Sequence, residues 1–314
     1  MSLRDAQPVI GDLPPLPQGP PYSCAELENW AGISFFLPTP DDRLIDIHNG
    51  EPAPTPPLSN LEGMVQLWHS NPEWMEFLDP DSPVYEDKQV ERALYLDFWG
   101  SHLEPNSRVL DLGGGVGRMM QWALSKECSV ELVDPDLRSL WRAVTSAGGH
   151  KGFIDVHWST GECLDELKLG LFDAAIACEV LNYVEDQNRV MNNLWASLKP
   201  GGRLFLSVES RWGWAMSTDV AEGSIDAFFS DGIVHMPNDR YIHTHTEESL
   251  QQLLSRFDIE AIQPSHYAFS GPFEMAAGPL PVNKAIELEA RLRAHPIAKQ
   301  LNRAWMVVAR KPKE

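Results

Sequence analysis

Asp111 and the glycines that follow it are the residues of this chain best suited to hold a nucleotide-like ligand. Val109, Leu110 and Leu112 make a short apolar run with Asp111 at its end, and Gly113, Gly115 and Gly117 come next on alternate positions. The run Met119–Lys126 is compatible with a helix. A strand that turns through glycines into a helix lets a ligand approach the backbone closely, with the helix N-terminus aimed at it. Asp134 stands 23 positions after Asp111, close to the roughly 20-residue offset at which an acid meets ribose hydroxyls in nucleotide-binding βαβ units. A carboxylate accepts from both hydroxyls of a ribose and disfavours a phosphate there. The competing reading of Asp134 is an N-cap for a helix over 137–147. A dinucleotide fingerprint would place its third glycine at 118, where the chain has Arg118.

These residues need a scaffold, and the surrounding pattern supplies one. Apolar runs at 129–133, 153–157, 172–178, 203–209, 259–262 and 304–309 read as further strands, and helical stretches lie at 86–102, 137–147, 187–198, 246–254 and 282–294. Alternation of this kind predicts an α/β fold with a largely parallel sheet. Lys199–Gly202 reads as a turn. Residues 1–59 differ in texture. Proline is dense at 13–21 and 51–57, which blocks helices and predicts an extended arm. The apolar patch 33–37 within it could lie across the main body or form an edge strand. Short amphipathic pieces at 61–68 and 72–78 precede the helix at 86–102 and suggest a helical cap over 60–105.

Composition narrows the partners. The 314 residues carry 45 acids against 25 bases, a net charge of −20, which repels nucleic acid and anionic membrane surfaces. No apolar run approaches the about 18 residues needed to span a bilayer. The start lacks the apolar core of a secretory signal. The four cysteines show no C-x-x-C pair, so neither a disulfide framework nor a zinc ribbon is indicated, and a reducing cytoplasm is the expectation.

An acidic strand end followed by G-x-G-x-G resembles motif I of the class I S-adenosylmethionine-dependent methyltransferases. Glu179–Asp186 resembles the stretch of that family in which a strand end leads into a "VL-polar-aromatic-V-x-D" turn, and Leu198–Leu204 resembles its Pro-Gly-Gly turn. The resemblance covers roughly 86–267 and 304–312. It implies a doubly wound, mostly parallel seven-stranded sheet with helices on both faces, formed by 106–314 with insertions at 211–245 and 268–303. It implies S-adenosylmethionine as cofactor, with Asp111, Gly113, Gly115, Gly117 and Asp134 holding it, Glu162 and Cys163 approaching the adenine, and Glu179 and Tyr183 where sulfonium and acceptor meet. Trp68, Trp74 and Trp99 are candidate pocket walls or ordinary core aromatics.

Methyl transfer from a sulfonium is an in-line displacement that depends on alignment and exclusion of water. No nucleophile motif is present, and none is required. A hydroxyl acceptor benefits from a base, for which His243 and His245 in the first insertion are candidates; either could equally cap a helix or sit at the surface. No carboxylate or cysteine supports the His-x-His pair as a metal site, so no metal is expected. The resulting expectation is O- or N-methylation of a small molecule, with a homodimer possible. A peptide or protein methyltransferase and a non-catalytic cofactor-binding regulatory subunit are the alternatives. Arg118 disfavours a nicotinamide oxidoreductase.

Overall fold

A computed structural model describes residues 36–38, 44–46, 52–53, 60, 80–81, 85–215, 220, 224–236, 240–269, 271–273 and 280–313. The helical pieces proposed for 61–68 and 72–78, with Trp68 and Trp74, lie outside these residues, as does most of the proline-rich arm. Within the arm, Phe36–Pro38, Leu44–Asp46 and Pro52–Ala53 pair antiparallel with one another as a three-stranded sheet. The apolar patch around Phe36 therefore contributes a strand to that sheet.

Helix α1 (Tyr85–Trp99) leads into β1 (Arg108–Leu112), α2 (Arg118–Ser125), β2 (Ser129–Asp134), α3 (Leu137–Ala147) and β3 (Phe153–Trp158). The chain then forms β4 (Phe172–Cys178), α4 (Gln187–Ser197) and β5 (Leu198–Glu209). The first insertion holds a short helix at Arg211–Trp214, α5 (Ile225–Ser230) and an antiparallel hairpin of β6 (Ile233–Met236) and β7 (Arg240–His243). Helix α6 (Glu247–Leu253), β8 (Asp258–Ser265), α7 (Val282–Ala294) and β9 (Ala304–Arg310) complete it. The large sheet has seven strands in the order β8-β9-β5-β4-β1-β2-β3. Only β9 runs against its neighbours.

Period-two alternation sorts the strand residues onto two helix-covered faces. Val109, Ile176, Phe205 and Met306 pack with α2 and α3 through Met120, Trp122, Leu140 and Ala143. Leu110, Leu112, Ala175 and Leu206 pack with α4 and α6 through Val190, Leu194 and Leu250. Strands buried on both sides read as continuous apolar runs, which is the form of 174–178. Trp99 belongs to the first core. It is fully buried, stacks on Tyr95 at 4.8 Å, and donates its indole N–H to the Val307 carbonyl at 3.1 Å, so it lines no pocket.

The Pro-Gly-Gly segment also differs from a simple turn. Leu198 already pairs with Phe172, and the register slips before Ala174 meets Arg203. The extra residues form an irregularity inside β5, with Gly201 at φ +82° donating to the Lys311 carbonyl at 2.9 Å. Helix α6 begins with a reciprocal capping box between Thr246 and Ser249.

Candidate functional site

The sheet order reverses between β1 and β4, and the crevice outside the carboxyl ends of such strands is where open α/β sheets bind ligands. Here the two strand ends lie very close together. A Cβ placed on Gly113 would come within 2.3 Å of Val180 Cγ2, so only glycine lets the loop after β1 pass the loop after β4. Gly113, Gly115 and Gly117 all have positive φ. A Cβ on Gly115 would meet nothing within 4 Å, which marks the open side of the loop.

Two carboxylates flank this loop in different ways. Asp134, at the end of β2, accepts from the Gly115 amide at 2.8 Å and from the Asp136 amide at 2.8 Å. Each oxygen therefore makes one bond and keeps a lone pair. The N-cap role belongs to Asp136 instead: its Oδ2 accepts from the Ser139 amide at 3.3 Å and the Ser139 hydroxyl at 2.7 Å. Burial, reinforced by the like charge of Asp136, pushes Asp134 up to about 7. Asp111 is 1% exposed, and among the described residues neither carboxyl oxygen makes a well-formed hydrogen bond, the Met120 amide being the backbone group that favours its charge. Burial pushes it up to about 7 as well.

Glu162 opens a 3₁₀ turn after β3 and accepts from the Glu185 amide at 3.1 Å, tying the loop after β3 to the loop after β4. Asn193 of α4 supports the same turn through the carbonyls of Gly161 (2.9 Å) and Glu162 (3.0 Å). Cys163 is buried beside Glu162, and burial raises its thiol pKa.

Glu179 follows β4 with φ +61° and accepts from the Tyr95 hydroxyl at 2.5 Å. Burial, then the like charge of Glu91, pushes it up to about 7. Tyr183 packs on an apolar cluster built by the first insertion from Trp214, Val220, Phe228, Val234 and Ile242. Burial raises the pKa of its phenol. Asn60 joins the Tyr183 loop to the hairpin. Its side-chain amide donates to the carbonyls of Tyr183 (2.8 Å) and Tyr241 (3.2 Å), and its oxygen accepts from the Tyr241 amide at 2.8 Å.

The two candidate histidines differ. His243 is half-buried with Nε2 3.0 Å from the Val184 carbonyl, which requires a proton on that nitrogen. Buried His245 has Nε2 3.1 Å from the Gln187 amide nitrogen and Nδ1 3.4 Å from the Ser249 hydroxyl. Both of its ring nitrogens are thus taken up between α4 and α6, and burial holds it down to about 4.

Sequence reading missed a second set of charged groups behind Glu179. Glu91 of α1 is 3% exposed and pairs with Arg118 and, at 2.9 Å, with Lys88. Burial opposes its charge, yet Arg118 and Lys88 hold its carboxyl well below the usual range. Arg118 also lies over the Tyr95 ring, 5.4 Å from its centroid. An oxygen of Glu91, an oxygen of Glu179 and a ring nitrogen of His266 all lie within 4.8 Å of one another. One signal for Glu91 was present in the sequence: it shares the buried stripe of α1 with Val90, Leu94 and Tyr95, where an acid needs a partner.

Residues 85–263 match the family model described as a methyltransferase domain, more than half of the chain. The chain belongs to this methyltransferase family. Its cofactor is S-adenosylmethionine, and its sheet is that of the class I enzymes. The methyltransferase chain is 30% identical over 141 residues to a ubiquinone biosynthesis O-methyltransferase of Xanthomonas axonopodis pv. citri, covering 44% of this chain and 56% of that one. It is 29% identical over 122 residues to the polyketide synthase-like protein Preu9 of Preussia isomera, covering 34% and 6%. The chain thus spans about half the length of the O-methyltransferase relative and a small part of the synthase. Among solved structures, an S-adenosylmethionine-dependent methyltransferase from Mesorhizobium loti is 22% identical with a TM-score of 0.48, covering 70% of this chain and 99% of that one. The 1,6-didemethyltoxoflavin-N1-methyltransferase of Burkholderia thailandensis is 18% identical with a TM-score of 0.48, covering 86% and 96%.

The residues at the switch point suit that cofactor. Asp111 offers a buried carboxyl beside the loop, and Gly115 presents an open side to the cleft. Among the described residues no helix is long and apolar enough to cross a membrane.

Proposed function

We propose that this protein transfers the methyl group of S-adenosylmethionine to a hydroxyl oxygen of a small molecule. The observation that carries the proposal is the switch-point cleft, where Asp134 braces the glycine loop through Gly115 and keeps a lone pair on each oxygen. The likeness to a ubiquinone biosynthesis O-methyltransferase supports oxygen over nitrogen.

When bound, the cofactor supplies a methyl carbon activated by a sulfonium. In this reading Asp134 holds the ribose hydroxyls, Gly113, Gly115 and Gly117 admit the backbone contact, and Glu162 and Cys163 border the adenine. Asp111 accepts from the donor groups of the amino-acid end. Glu179 places negative charge near the sulfonium. Tyr183, backed by the Trp214 cluster, forms an apolar wall that keeps water from the reacting atoms. His243 and His245 brace the loop around Val184 and Gln187. Asn60 holds the Tyr183 loop against the hairpin, bonding to Tyr183 on one and Tyr241 on the other.

Calorimetric titration with S-adenosylmethionine, S-adenosylhomocysteine and NAD tests this on wild type and Asp134→Ala. We expect binding of the sulfonium pair, none of NAD, and a loss of roughly 10- to 100-fold in the variant, the weight of one or two hydrogen bonds to a charged group. Failure of both sulfur compounds to bind wild type would sink the proposal.

A further inference from the structure

His266 stands apart from the other described histidines. It follows β8 directly, is 2% exposed, and neither ring nitrogen has a hydrogen-bond partner among the described residues. Its backbone holds φ +60°, a conformation that costs a non-glycine residue on the order of 1–2 kcal/mol. An unpaired buried polar group costs a further ~1–3 kcal/mol. The fold maintains both. Glu289 of α7 reaches the turn, and one carboxylate oxygen accepts from the amides of Tyr267 (2.8 Å), Ala268 (2.8 Å) and Phe269 (3.2 Å). The imidazole lies against Tyr95 at 5.4 Å and Phe269 at 5.8 Å. From there a ring nitrogen comes within 4.8 Å of carboxylate oxygens of Glu91 and Glu179.

Glu91 and Glu179 are not equivalent. Glu91 is neutralised by Arg118 and Lys88. Glu179 accepts from the Tyr95 hydroxyl, a neutral donor, and its carboxyl is raised to about 7, the range of a working base. Burial holds His266 down to about 4, so its ring is neutral and carries one N–H donor at neutral pH. The charged and titratable groups around the pair are Lys88, Glu91 and Tyr95 of α1, Arg118 after the glycine loop, Cys178 and Glu209 at strand ends, Glu289 of α7, and Arg303 before β9.

We infer that His266 and Glu179 together engage the acceptor's hydroxyl, His266 by donating a hydrogen bond to its oxygen and Glu179 by taking its proton. The inference rests on the methyl-transfer reading above. In the step, the acceptor O–H bond breaks as its proton moves to a Glu179 carboxylate oxygen. The acceptor oxygen forms its new bond to the methyl carbon, and the electron pair of the broken carbon–sulfur bond stays on sulfur. The His266 N–H meets the negative charge that develops on the oxygen. The proton leaves Glu179 to water as product departs.

The test uses the full chain with phenol, catechol and 4-hydroxybenzoate as hydroxyl probes and benzylamine as the amine control. Ring-labelled histidine is followed by NMR, with the His266 signal assigned by its loss in His266→Gln. Adding a hydroxyl probe to the S-adenosylhomocysteine complex should shift that signal, and benzylamine should not. Glu179→Gln should lower kcat 10²- to 10⁴-fold on the probes that are turned over, with KM changed less than tenfold. Its acid limb near pH 7 should vanish, and any loss of S-adenosylhomocysteine affinity should be smaller than the loss of kcat. The assignment is overturned if no hydroxyl probe binds or shifts His266, or if Glu179→Gln stays within threefold of wild-type kcat. It is also overturned if Mn²⁺ binds calorimetrically and is lost in His266→Gln, since the cluster would then be a metal site. Failure of wild type to bind S-adenosylhomocysteine at all would fall on the methyl-transfer reading instead.

Discussion

The two sides of the cleft are built by opposite means. On the glycine-loop side the working groups sit at the ends of neighbouring strands, and their bonds run to backbone: Asp134 to Gly115 and Asp136, and Asp136 to Ser139. On the side that the proposal gives to the acceptor, the groups come from α1, the start of α2, the end of β4 and the turn after β8. Their bonds run between side chains: Glu91 to Arg118 and Lys88, and Tyr95 to Glu179. Local backbone geometry fixes the first side, whereas the second depends on side chains distant in sequence agreeing in charge. The first should therefore resist single substitutions that keep the loop's shape, and the second should fail when any one charge is removed.

The largest expected effect is on that second side. Arg118→Leu leaves Glu91 buried with only Lys88 beside it, and breaking a buried pair from one side costs about 3–5 kcal/mol. Urea unfolding at pH 7 should show that loss, and Glu91→Gln in the same chain should recover part of it. The sign with pH follows from Glu91. Its folded pKa is depressed, so its stabilising contribution is present above the unfolded value of about 4.3 and is lost as pH falls toward the folded one. A variant as stable as wild type would break the comparison, because the acceptor side would then not depend on its charges.

The glycine loop offers the matching test. Gly113→Ala combines positive φ, about 1–2 kcal/mol, with a contact of 2.3 Å to Val180 that adds an overpacking cost of about 1–3 kcal/mol. Gly115→Ala carries only the backbone cost, since nothing lies within 4 Å of the new methyl. Thermal unfolding should rank Gly113→Ala as the less stable protein. Calorimetry should show reduced S-adenosylmethionine affinity in Gly115→Ala despite its smaller loss of stability.

The difference between the sides also explains what the sequence reveals. The strands expected at 129–133 and 172–178 and the helices at 137–147 and 282–294 follow from apolar runs and periodicity, and they stand there, the first one residue longer. The place of Asp134 at the end of β2 was legible because its offset from Asp111 is set by one βαβ unit. His266 was not, because its burial comes from α1 and α7 folding over the end of β8, and no spacing in the chain encodes that meeting. Arg118 was visible only as a missing glycine. Its meaning came from Glu91, 27 residues earlier and on another element. Asp136 was passed over because two acids stood together and only contact geometry could divide the roles.

Asp111 is a cleft group held at a cost to stability. Its pKa is raised in the folded state, so between the unfolded value of about 3.9 and about 7 the folded chain binds the extra proton, and stability falls as pH rises through that window. Asp111→Asn removes the buried charge. At pH 8 it should raise stability by roughly 1–3 kcal/mol while weakening S-adenosylmethionine binding. Opposite movement of the two quantities is the diagnostic. Joint loss would mean that the carboxylate holds the fold, not the cofactor.

The smallest effect is also the sharpest. Asp136→Ala removes the cap of α3, worth about 1 kcal/mol, and leaves the Asp136 amide in place for Asp134. It also removes a like charge that helps push Asp134 upward, so the pKa of Asp134 should fall and its carboxylate should persist to lower pH. Cofactor affinity measured from pH 5 to 8 should then hold further into the acid range than in wild type, even as unfolding shows a slightly weaker protein. A parallel loss of affinity at every pH would mean that the two acids act as one unit on the loop, and the division of labour between cap and ribose would not stand.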